Sequence, residues 1–139
     1  MKRQRWVLAL VVLGFGGCQP LLYLKIRNNT NAEVEICNMQ LRSNACVPAK
    51  PHTQARVFLV ADYPAPSWVL RISSGTASKT YDFDHIHFWK LRSSRVCVDD
   101  CDVPLQLEPD GFIYWVDARA NPSAAAPVQP DGFPVRPGA

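Results

Sequence analysis

Histidine is scarce in this chain (3), methionine scarcer (2), and glycine sparse at 7 of 139 residues. These shortages exclude several kinds of chemistry. There is no glycine-rich phosphate loop, no Gly-x-Ser-x-Gly elbow and no His-Glu-x-x-His pair, so the usual sequence marks of nucleotide binding, serine hydrolysis and zinc proteolysis are missing. No amphipathic helical period of ten or more residues runs anywhere along the chain, and 12 prolines interrupt what periodicity there is, which excludes a helical bundle. Nor is there an apolar run of the roughly 20 residues needed to cross a bilayer as a helix.

The start differs in kind from the rest. Lys2, Arg3 and Arg5 precede a short apolar run at 6–13, and Gly14, Phe15, Gly16 and Gly17 lead into Cys18, Gln19 and Pro20. Basic, then apolar, then small is the order of an export signal. An Ala-x-Ala-like cleavage site is lacking. Gly16-Gly17-Cys18 instead resembles the lipobox of bacterial lipoproteins, in which two small residues precede an invariant cysteine that is diacylated on sulfur and becomes the mature N-terminus. Phe15 stands where that family usually has Leu, and the resemblance covers 1–19 only. It implies a cleaved signal at 1–17, a lipidated N-terminus at 18–20, and a lipid bilayer held as partner through acylated Cys18. Gln19 stands where inner-membrane lipoproteins of enteric-type bacteria often carry Asp, so the resemblance implies an outer-membrane anchor facing the periplasm. A soluble secreted or periplasmic protein is the alternative. Two or three acyl chains anchor stably because each buried methylene adds about 0.8 kcal/mol.

Loss of the leader would also remove three of the 15 basic residues, leaving 12 Lys plus Arg against 12 Asp plus Glu. A mature chain of zero formal charge has no electrostatic footprint for phosphate backbones, so no nucleic-acid partner is expected. Export places the remaining cysteines, Cys37, Cys46, Cys97 and Cys101, in an oxidising compartment. Four such cysteines read as a disulfide framework with three connectivities. The sequence-local pairs, Cys37 with Cys46 and Cys97 with Cys101, are favoured because each closes the end of a hairpin-like loop. Crossed pairing stays open, and a four-thiolate zinc site is disfavoured by the lack of Cys-x-x-Cys spacing.

Leu22, Leu24 and Ile26 alternate with Tyr23, Lys25 and Arg27 before the turn cluster at 28–31, and Val34 and Ile36 alternate in the next run. Period-two patterning of this sort predicts two strands, which fit a hairpin. Further strand-like runs are predicted at 54–60, 67–73, 79–83, 87–92, 104–108 and 111–117, separated by turn signals. The fold class that follows is all-β: a small antiparallel sandwich, Ig-like or barrel-like, over 21–118. Trp68, Leu70 and Ile72 are expected in its core, with either Ile113 and Trp115 or Tyr114 and Val116. From 119 to 139 the chain is rich in Pro and Ala and is expected to be disordered. Within it Pro130-Asp131-Gly132-Phe133 repeats Pro109-Asp110-Gly111-Phe112. The second copy reads either as a partner-binding motif anchored by Phe133 or as recurrent turn chemistry.

Candidate chemical groups are few. His85 and His87 would share one face of a strand, with Asp82 or Asp84 nearby, but two imidazoles alone do not make a specific metal site. His52 lies apart, in a loop. Asp99, Asp100 and Asp102 surround Cys101 without the sharp-turn glycine of a calcium loop. No cofactor, no small-molecule substrate and no enzymatic activity are expected. The expected role is a non-enzymatic interaction or scaffold component of an envelope assembly, bound to an unidentified envelope protein. The alternative is a periplasmic inhibitor or immunity-type lipoprotein that blocks a hydrolase with Asp99 and Asp100 at the tip of the Cys97 to Cys101 loop.

Overall fold

The first alternating run forms strand β1 (Leu21–Asn28), with Leu24 and Ile26 fully buried and Tyr23, Lys25 and Arg27 on the opposite face. A computed structural model describes residues 21–40, 45–59, 67–84, 100–116 and 128–138. Among the described residues seven further strands follow: β2 (Val34–Asn38), β3 (Cys46–Ala49), β4 (Gln54–Leu59), β5 (Ser67–Ser74), β6 (Ala77–Asp84), β7 (Asp100–Leu107) and β8 (Ile113–Trp115). None of the described residues is helical. The strands make two sheets, one in the order β4-β1-β7-β8 and the other β3-β2-β5-β6. We call them sheets A and B.

The inner faces share one core. Leu24, Ile26, Val57, Leu59, Val103, Leu105, Leu107 and Ile113 come from sheet A, and Val34, Ile36, Trp68, Leu70, Ile72, Tyr81 and Phe83 from sheet B. Each fully buried side chain of this size stabilises the fold by about 1.5–3 kcal/mol relative to exposure. Ile113 and Trp115 point the same way and pack on this core, which decides between the two β8 alternatives, although Val116 is also buried. The all-β sandwich expected from the sequence is the fold observed.

Three expectations are corrected. The first two strands are not a hairpin: β1 pairs with β4 and with β7, whereas β2 pairs with β3 and β5 in the other sheet. The five residues between β1 and β2 cross from one sheet to the other, held by Asn28, whose Oδ1 accepts from Thr30 N at 3.0 Å and from Thr30 Oγ1 at 2.7 Å. Second, the pairing is antiparallel except between β1 and β7, which run parallel from Leu21 beside Asp100 to Asn28 beside Leu107. Third, the C-terminal end is not free throughout. Residues 128–138 lie on the domain: Ile113 and Val135 exchange two backbone hydrogen bonds, Gly138 N donates to Thr80 O at 2.8 Å, and Tyr81 bridges to Pro137. Val135 is 6% exposed, and Phe133 packs on the core. The segment is a strap joining the β8 edge of sheet A to the β6 edge of sheet B. Its two apolar side chains bury enough surface to hold a stretch whose prolines forbid a regular strand.

Candidate functional site

The two ends of the sandwich can be told apart by following β1. The Leu21 end is also where β2 finishes, β5 begins, β6 finishes and β7 begins. At the Asn28 end lie the β1–β2 crossing, the turn at 50–53, the β5–β6 hairpin and the β7–β8 turn.

The Asn28 end is closely bonded. Asn28 is fully buried and donates through Nδ2 to Ala32 O at 2.8 Å and to Ala49 O at 3.0 Å, tying sheet A to β3. His52 sits in the neighbouring turn with φ at 60°, and its backbone N–H donates to Asn28 O. The β5–β6 hairpin turns through Gly75 at φ 58°, the first central position of a two-residue loop, where glycine adopts that angle at no steric cost. In the β7–β8 turn, Gly111 has φ 82° and its N–H donates to Glu108 O. The second copy of the repeat also turns through a left-handed glycine, Gly132 at φ 87°, but its turn closes one residue later in the motif, with Phe133 N donating to Pro130 O. Each copy launches an extended segment, and the two segments pair through Ile113 and Val135.

Between the crossing and these turns lies a groove of about 200 Å³. Val34, Ile72 and Leu107 contribute to its apolar lining, and Lys79, Tyr81 and Glu108 are among its polar groups. Tyr81 donates its hydroxyl to Gly111 O at 2.8 Å, stitching β6 to the β7–β8 turn. Burial, with the negative charge of Asp110 adding to it, raises the Tyr81 pKa above its usual value. Tyr114 is raised as well, first because its hydroxyl donates to Asp110 at 2.6 Å. Glu108 accepts from Asn29 Nδ2 at 3.0 Å and from Gln106 Nε2, which commits its carboxylate to holding the turn. Lys79 is exposed, and its ammonium reaches to beside Gly111, where a Cβ would meet Nζ at 2.8 Å.

Of the site residues expected from sequence, Cys37 and Cys46 form a disulfide across directly opposed positions of β2 and β3. Cys18, His85, His87, Cys97 and Asp99 lie outside the described residues. Asp100 and Cys101 belong to β7, their backbones in register with Leu21 and Leu22. This corrects the expected acidic loop from Asp100 onward: pairing with β1 draws 100–102 into a strand, and Asp102 forms an ion pair with Arg56 at 2.8 Å. Phe133, the candidate anchor of the second repeat copy, contacts this chain's own Phe83 and Trp115, with ring centroids 6.3 and 5.9 Å apart.

Sequence reasoning missed the groove, the strap, and the pair of buried asparagines. Asn38, also fully buried, donates to Phe58 O at 2.8 Å and so joins β2 to β4. The Asn-x-Thr turn at 28–30 was the available signal for Asn28, since such asparagines bond their own backbone two residues on. Ligand-capable atoms also gather at Glu35, Cys37 and Cys46, within 4.8 Å of one another. The disulfide leaves no thiolate there, and Arg71 Nη2 lies 3.8 Å from Cys37 Sγ, which does not suit a metal cation.

Comparison of the chain with protein-family models, curated proteins and solved structures gives no match.

Proposed function

We propose that this protein is an outer-membrane lipoprotein facing the periplasm, anchored through acylated Cys18, that acts without catalysis as an interaction component of an envelope assembly. The recognition element is the Asn28 end of the sandwich, where the groove is flanked by Lys79 and Glu108. The observation that carries this reading is the course of β1. It starts three residues after Cys18 in the middle of sheet A and ends at the far end of the sandwich, roughly 25 Å away at about 3.3 Å per residue. An anchor at one end thus presents the groove and its turns away from the bilayer. Docking of 128–138 on the domain favours the domain surface over the C-terminal segment as the part that meets a partner.

The test is a crosslinked pull-down from envelope membranes with the full-length protein, compared with a variant carrying Lys79→Glu and Ala77→Arg, both at exposed positions. The reading expects one envelope protein to be recovered with the wild type and lost with the variant, and the mature N-terminal peptide to carry acyl groups by mass spectrometry. Equal recovery by both proteins would move the recognition surface elsewhere, and an unacylated N-terminus would remove the anchor.

A further inference from the structure

On the outer face of sheet B, the register places Cys37 between Cys46 of β3 and Arg71 of β5. The two residues differ in access: Cys37 is 0% exposed, while Cys46 is half-buried. Arg71 Nη2 donates to Cys37 Sγ at 3.8 Å, and its Nε is buried with no hydrogen-bond partner. Glu35, with an oxygen within 4.8 Å of the sulfurs, is exposed.

A guanidinium drawn out of water calls for an anion. Here it has a disulfide sulfur, which is uncharged and a weak acceptor. That sulfur becomes a full anion if the bond opens with Cys37 as the leaving thiolate. A neighbouring cation lowers the basicity of a thiolate, speeds its departure and favours the reduced pair. Glu35 acts in the opposite sense, but its charge is solvated and screened, whereas Arg71 is half-buried and its field is not. Access selects the other sulfur for attack.

We propose that the Cys37–Cys46 disulfide is a thiol–disulfide exchange site whose reactant is a dithiol. The dithiol's first thiolate attacks Cys46 Sγ, forming a mixed disulfide, and the Cys37–Cys46 bond breaks with its electron pair left on Cys37 beside Arg71. The dithiol's second sulfur, after losing its proton to water, attacks the first. This forms the partner's own disulfide and releases Cys46, which takes a proton from water. Two electrons pass from the dithiol to this pair; the dithiol is oxidised and the cystine reduced. This site lies on the outer face of sheet B and is independent of the groove and of the lipid anchor.

The experiment uses the full-length protein with two thiol probes at fixed pH. Glutathione adducts, trapped by acid and mapped by peptide mass spectrometry, are expected on Cys46; adducts on Cys37 instead, or on neither, overturn the proposal. This first arm uses wild-type protein and does not depend on any variant folding. With dithiothreitol, Arg71→Met is expected to open the bond about tenfold more slowly and to shift the equilibrium about tenfold toward the disulfide, about 30 mV for a two-electron couple. Arg71→Lys should keep most of the wild-type rate. Unchanged rate and equilibrium in Arg71→Met, or Arg71→Lys as slow as Arg71→Met, would show that the cation does not act on the sulfur.

Discussion

Sheets A and B each carry an arginine on their outer face, and the two are held in opposite ways. Arg56 of β4 stacks over Tyr23 with its guanidinium carbon 3.6 Å from the ring centroid, and pairs with Asp102 at 2.8 Å while both side chains stay well exposed, at 44% and 39%. Arg71 of β5 is half-buried, its guanidinium donates to the Cys37 sulfur, and its Nε is sealed from water. The first arrangement is satisfied as it stands and contributes little, because an exposed pair gains only a small Coulomb term over hydration. The second is incomplete in the oxidised protein. Position on the sheet therefore tells less about a cation than what it faces.

The sharpest break in this contrast is to remove the sulfurs. Cys37→Ala with Cys46→Ala takes away a cross-link of sequence separation 9, and should cost roughly 2–3 kcal/mol by loop-closure entropy. Urea denaturation measures it, and a loss below about 1 kcal/mol would show that β2–β3 pairing alone holds the hairpin. Next in size, Arg71→Met should leave the oxidised protein within about 1 kcal/mol of wild type but destabilise the reduced protein further. Equal effects in both redox forms would erase the difference between the two arginines. Smaller again, a double-mutant cycle on Arg56→Ala and Asp102→Ala should return a coupling of about 0.2–1 kcal/mol that fades at high salt; a coupling indifferent to salt would contradict the exposed reading.

The smallest effect concerns hydroxyls. Tyr81 and Tyr114 both have pKa values raised above the ordinary 10.0, so tyrosinate absorbance should show a class titrating later than free tyrosine. Because the folded values are the raised ones, the stability these groups contribute is complete below pH 10.0 and is lost as pH climbs through the elevated values. Tyr114→Phe should remove one member of the late class.

Alternation in Leu24 and Ile26, and in Trp68, Leu70 and Ile72, made the core faces of β1 and β5 legible from sequence, because a period of two reports which side is buried. It does not report the neighbour, which is why β1 and β2 read as a hairpin although they belong to different sheets. Strand β3 is not legible in the sequence because Cys46-Val47-Pro48-Ala49 has no alternation and contains a proline. It tolerates Pro48 by lying at the edge of sheet B. Pro104 is a similar case within β7: its carbonyl accepts from Val116 N just where β8 stops, so its missing N–H has no strand to serve. The strap was hidden by composition, since one valine and one phenylalanine between prolines look like linker until a hydrophobic slot is there to receive them. The groove gave no sequence signal, whereas in the exchange site the pairing of Cys37 with Cys46 was readable from spacing. Arg71 was not, because only the register sets it beside them.

The central place of β1 also has a mechanical side. The chain that precedes Leu21 joins the fold at a strand with a neighbour on each flank, β4 on one and β7 on the other. A pull along β1 from that point would load both ladders in shear, with all their hydrogen bonds strained together. A pull on the strap at Gly138 would instead peel its contacts with Thr80 and Ile113 in turn. Under tension the molecule is built to hold by its first strand and to yield from its last segment.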